Sequence, residues 1–135
     1  MEKEEILYKL SLFEQQAQQI QQQLQMIEQG VVELTNLAMG LEELNGKKDK
    51  EILAPIGSGV FVKAKLLSED LIVDIGGKNF IKKSIPETKD MIKEQIKRLE
   101  EVYGQLTGSL DEINSQVGEI IGDMQLNTQE NKKKD

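Results

Sequence analysis

Residues 6–41 read ILYKLSLFEQQAQQIQQQLQMIEQGVVELTNLAMGL, and apolar side chains recur in this stretch at Ile6, Leu10, Phe13, Ala17, Ile20, Leu24, Ile27, Val31, Leu34, Ala38 and Leu41. The steps alternate between four and three without a miss, which is the 3.5-residue period of a coiled-coil seam. A single helix cannot bury such a stripe against itself, so a second helix has to receive it. Between the apolar positions lie Gln15, Gln16, Gln18, Gln19, Gln21, Gln22, Gln23 and Gln25. A glutamine-rich tract taken alone also fits disorder. The unbroken heptads and the fair helix propensity of Gln read it instead as the wet face of the same helix.

A matching seam stands near the other end of the chain, at Ile92, Ile96, Leu99, Tyr103, Leu106, Leu110, Ile113, Val117, Ile120 and Met124. Its helix has a marked start: Ser84 as a cap, Pro86 in the first turn, then Glu87 and Asp90 where the helix dipole favours acids. The seams span 36 and 33 residues, about 50 Å each at 1.5 Å per residue. Matched lengths predict an antiparallel helical hairpin, with pairing between chains as the other arrangement.

The middle changes period. Ile52-Leu53-Ala54-Pro55-Ile56, Val60 to Leu66, Leu71-Ile72-Val73-Asp74-Ile75 and Phe80-Ile81-Lys82-Lys83 are short strand candidates, separated by Gly57-Ser58-Gly59, Ser68-Glu69-Asp70 and Gly76-Gly77-Lys78-Asn79. Two β-hairpins follow. Strands this short expose unpaired backbone edges, and copies of the same or a related subunit are the simplest cover for them. The residues expected to carry assembly are Ile52, Leu53, Ile56, Val60, Phe61, Val62, Leu71, Ile72, Val73, Ile75, Phe80 and Ile81. The segments are therefore 1–45 (first coiled-coil helix), 46–85 (double hairpin), 86–128 (second helix) and 129–135 (a disordered tail). The fold class is predominantly α with a small β region.

Composition narrows the function. The chain has no Cys and no His, which removes thiolate and imidazole ligands, disulfides and the commonest general base. Its net charge of -7 is unevenly spread: residues 1–45 carry 2 basic and 8 acidic groups, 46–86 carry 8 and 5, and 87–135 carry 7 and 11. Acidic flanks argue against nucleic acid as a partner. No run is long and apolar enough for a membrane span, so no membrane partner and a cytoplasmic location are expected. The glycine motifs fail as nucleotide loops, since a Walker loop needs glycine where Ile72 stands and Ser or Thr where Asn79 stands. Carboxylate pairs such as Glu42-Glu43 and Glu100-Glu101 lie on wet faces without a desolvating pocket, so neither an enzyme nor a cofactor or metal site is expected. Gly104, Gly108, Gly118 and Gly122 fall at outward positions of the second helix and soften it.

Several apolar residues miss the seams. Leu7, Tyr8, Leu12, Ile121 and Leu126 gather at one end of an antiparallel hairpin and form an exposed patch fit for a hydrophobic partner. Val32, Leu37, Met39 and Leu44 fall near the strands and are expected to pack beneath them.

The order helix, two hairpins, helix, with Pro55-Ile56-Gly57-Ser58-Gly59 followed by Phe61 and the Lys63-Ala64 pair, and with Val73-Asp74-Ile75-Gly76-Gly77 later, resembles the prefoldin family of archaea in its α class. The resemblance covers nearly the whole chain. It implies an ATP-independent chaperone, a hexamer of two α and four prefoldin β subunits, with hairpins closed into barrels and coiled coils projecting from them. It further implies that non-native polypeptides are held between the helix tips and passed to a group II chaperonin. Carried onto this chain, the client-binding region is 1–13 and 117–130, adding the seam residues Ile6, Leu10, Phe13, Ile120 and Met124 to the exposed five. A structural coiled-coil adaptor that recruits one folded partner along its flanks is the alternative.

Overall fold

The computed structural model describes residues 2–133, with side chains to residue 126. In order they form α1 (Lys3–Leu44), β1 (Glu51–Gly57), β2 (Val60–Lys65), β3 (Leu71–Asp74), β4 (Phe80–Lys83) and α2 (Ile85–Lys133). Every seam residue of α1 and α2 is buried or half-buried, while the glutamines between the α1 seam positions are exposed. The 3.5-residue period thus sets which side of each helix leaves water.

The chain groups into two compact units, one of Met1–Gln29 with Leu99–Asp135 and one of Gly30–Arg98. In the first, the Tyr103 hydroxyl donates to Glu28 Oε1 at 2.9 Å. In the second, the Lys89 ammonium pairs with the Glu42 carboxylate. In the first unit Glu28 meets Tyr103 while Phe13 shares one groove with Ile120, so α1 and α2 run antiparallel there.

The core lies in the second unit, where Leu41, Ile85 and Ile92 are buried and Leu34, Ala38, Leu44, Leu71 and Ile96 pack against them. A buried side chain of this size contributes about 1.5–3 kcal/mol through the hydrophobic effect. Buried Thr88 satisfies its hydroxyl by donating to the Ser84 carbonyl at 2.8 Å. Ser84 also caps α2, its Oγ accepting from the Glu87 N–H at 3.2 Å, so one orphan donor of the first turn is satisfied. The helix begins one residue before Pro86 and continues to Lys133, five residues past the boundary read at 128. Residues 134–135 of the expected tail lie outside the described residues.

Both hairpins are antiparallel and each forms its own two-stranded sheet. The β1–β2 loop places Ser58 at φ 49° and Gly59 at φ 78°. Positive φ at both central residues is the type I′ turn whose twist suits a two-residue hairpin. The register shifts between Pro55 and Gly57, leaving Ile56 as a bulge. In the β3–β4 loop Gly77 and Lys78 take φ 59° and 63°, and the Asn79 N–H donates to the Gly76 carbonyl at 3.1 Å.

Two expectations are corrected. Val32, Leu37 and Met39 do not pack beneath the strands; all three are exposed, and only Leu44 of that group joins the core. Val32 and Met39 each precede a seam residue by two, which puts them about 200° round the helix from Leu34 and Leu41. Gly122 is half-buried instead of outward, while Gly104, Gly108 and Gly118 are exposed.

Candidate functional site

Two surfaces present apolar side chains to water. The first is on the helix ends. Leu7, Tyr8, Leu12, Ile121 and Leu126 are exposed, while Ile6, Leu10, Phe13, Ile120 and Met124 are half-buried in the seams. The residues named from the sequence therefore divide into a half-buried seam set and an exposed set. Part of both sets meets in an open groove of about 420 Å³, lined by Leu12, Phe13 and Ile120 with Lys9, Gln16, Gln116 and Glu119 at its rim. Leu7 and Ile121 are not among its lining. Side chains at 127–130 lie outside the described residues.

The groove exists because the antiparallel register places one turn of α1 around Phe13 against the turn of α2 around Ile120. Leu12 stands one residue off the seam, about 100° round the helix, which leaves it partly in water beside the seam residue Phe13. Its polar rim residues were not legible from apolar spacing, because they follow from how the two helices face each other.

The second surface is on the hairpins. Opposed residues in an antiparallel pair share a face. In the first hairpin Ile52 opposite Ala64 is half-buried, whereas Leu53 opposite Lys63 and Pro55 opposite Phe61 are exposed. In the second, Leu71 opposite Lys83 is half-buried, and Ile72 opposite Lys82 and Asp74 opposite Phe80 are exposed. Val73 is half-buried and its opposite Ile81 is at the edge of exposure. Among the strand and turn residues read from the sequence, Ile52, Leu71 and Val73 thus face inward. Leu53, Ile56, Val60, Phe61, Val62, Ile72, Ile75 and Phe80 face water, and Ile72 is the most exposed of them at 73%. Leu67, at 77% exposure, belongs with this surface and was missed because it falls in a loop outside any strand pattern. A second groove, of about 870 Å³, runs between the end of α1 at Gly40 and Leu44, with Lys47 of the following turn, and the strand residues Ile52, Leu53 and Pro55.

Tyr103 has a displaced protonation equilibrium. Its hydrogen bond to Glu28, then the negative charge of that carboxylate, and lastly desolvation hold the phenol above its ordinary pKa. The sequence placed Tyr103 in the seam without showing which residue its hydroxyl meets. Among the described residues no three acids gather as a metal-holding group, and no helix is long and apolar enough to cross a membrane.

Comparison with known proteins agrees with this architecture. The prefoldin subunit family model matches residues 13–130. Prefoldin subunit alpha of Methanobrevibacter smithii is 29% identical over 117 residues, covering 86% of this chain and 80% of that protein. Prefoldin subunit alpha of Pyrococcus horikoshii is 28% identical over 122 residues, covering 88% and 82%. Among solved structures, a chain of the cryo-EM structure of filamentous PFD from Methanocaldococcus jannaschii superposes with a TM-score of 0.77 at 18% identity, covering 86% of this chain and 98% of that one. At that identity the likeness speaks to the fold, two helices with two small antiparallel hairpins between them. With a family model that takes in most of the chain and archaeal α subunits similar along the same length, this chain belongs to the prefoldin family of chaperone subunits.

Proposed function

We propose that the chain is the α-type subunit of an ATP-independent cytoplasmic chaperone, a hexamer of two α and four β subunits. It captures non-native polypeptides at its helix ends and passes them to a group II chaperonin. The observation that carries this reading is the presence of two kinds of apolar surface, an open groove at Leu12, Phe13 and Ile120 and exposed strand faces at Leu53, Phe61, Ile72 and Phe80. The strand face supports assembly, since unpaired strand edges and exposed apolar strands are covered most simply by strands of companion subunits. The groove supports capture, because unfolded chains expose the apolar side chains it accepts. Each contact of this kind is weak, and several engaged together raise avidity by roughly 10² to 10⁴.

The test uses the chain assembled with its companion subunit. Removing residues 1–10 and 125–135 is expected to abolish suppression of client aggregation while the assembled mass falls only by the residues removed. Loss of both properties, or of neither, overturns the assignment of capture to the ends. A second reading, an adaptor for one folded partner, draws on exposed Val32 and Met39, seven residues apart on one flank of α1. It expects partner binding to survive that truncation.

A further inference from the structure

The groove at the helix ends has an uneven rim. Along α2, Glu112, Gln116, Glu119 and Asp123 follow one another at steps of four, three and four, which stacks them on one face. Gln116 and Glu119 of this row line the groove directly. Along α1 the corresponding row is Glu5, Lys9, Leu12 and Gln16, of which the last three line it. Glu5, Glu112, Glu119 and Asp123 are all exposed, and Lys9 is the single cation among the described residues of the two rows.

The wider surroundings have the same sign. Residues 2–16 and 109–126 together hold two basic and eight acidic groups, a net of -6, whereas residues 46–86 around the hairpins hold eight and five, a net of +3. Glu119 and Asp123 stand four apart, where like charges repel along a helix. Helix stability alone does not favour that arrangement, and a cation bound beside it relieves the repulsion. In addition, the field of exposed carboxylates reaches about 10 Å at 0.1 M salt, far enough to act on any segment lying in the groove.

We propose that the groove selects among non-native chains by charge as well as by apolarity, taking apolar segments flanked by Lys or Arg in preference to equally apolar segments flanked by Asp or Glu. This rests on the reading of the helix ends as the capture surface. The apolar floor of Leu12, Phe13 and Ile120 receives the segment, and the α2 carboxylates receive its flanking cations. Acidic segments are repelled at the same rim.

The probes are two short, unstructured, fluorescein-labelled peptides with the same Leu and Phe positions, one carrying lysines and the other glutamates. Each is titrated by anisotropy against the chain assembled with its companion subunit. The lysine peptide is expected to bind about tenfold more tightly at about 20 mM salt, with the ratio approaching one near 0.5 M. The triple variant Glu112→Gln, Glu119→Gln, Asp123→Asn is expected to cut the low-salt ratio to about threefold or less, with assembled mass retained and the thermal transition unchanged or slightly raised. Equal binding of the two peptides at low salt, or a ratio that survives the triple variant, overturns the charge preference. A Leu12→Ser, Ile121→Ser variant tells this failure from failure of the underlying reading. If both peptides lose affinity in it and neither is preferred by the parent, the ends capture chains without charge selection. If neither peptide responds to it, or neither binds the parent, the capture surface itself is misplaced and both proposals fall.

Discussion

The unit of helix ends and the unit that carries the hairpins share one 3.5-residue period, yet they withdraw their side chains from water to different degrees. Leu41, Ile85, Thr88 and Ile92, all in the hairpin unit, are buried; among the described residues of the other unit every seam side chain keeps partial exposure. A pair of helices shields each seam residue from one side only, whereas the start of α2 is also covered by Leu71 of β3. The lesson is that a third element, however small, turns a half-buried seam into a core.

The comparison can be broken most severely at the strands. Phe61→Asp with Ile72→Asp puts two charges on the exposed faces of both hairpins, where burial by a companion subunit becomes prohibitive. Native mass spectrometry is expected to show complete loss of the assembled species, with helical circular dichroism of the chain retained. Unchanged mass means that these faces are not where subunits meet.

A smaller effect separates the two units directly. Ile92 is 2% exposed, so Ile92→Ala is expected to cost about 3 kcal/mol in denaturant unfolding of the assembled protein. Ile113→Ala, at a half-buried seam position, is expected to cost about half as much. Equal losses at the two positions contradict the contrast between core and seam.

The smallest effect belongs to the Tyr103 hydroxyl. Its pKa is raised in the fold by Glu28, so the folded state holds that proton more tightly than the unfolded chain does. The stabilisation is complete below the ordinary tyrosine range and is lost as pH rises through the raised value. Tyr103→Phe is expected to lower the melting temperature slightly near neutral pH and to flatten the decline on the alkaline side. Superimposable melting profiles of parent and variant across that range leave the hydrogen bond without a role in stability.

Much of the architecture was legible because its signals are local. The seam from Ile6 to Leu41 and the partner seam from Ile92 to Met124 are periodic, and Ser58-Gly59 and Gly77-Lys78 turn where turn chemistry favours it. The Ser84 cap was equally readable, since the donor it satisfies lies three residues along. The candidate site was legible by its apolar members only. Leu12, Phe13 and Ile120 stood out by pattern, while Gln16, Gln116 and Glu119 at the same rim did not, because nothing in a polar residue's spacing says which helix it will face.

The sequence by itself thus determined that two heptad-bearing helices flank two hairpins, and in which residues each seam consists, because periodicity is a property of one segment and its own backbone geometry. Only the tertiary structure decided that Glu28 meets Tyr103, that Ile85 joins Leu41 in the core, that Thr88 is buried, and that Val32 and Met39 stay in water. Each of these depends on the register and rotation of one element against another, set by packing between residues distant along the chain.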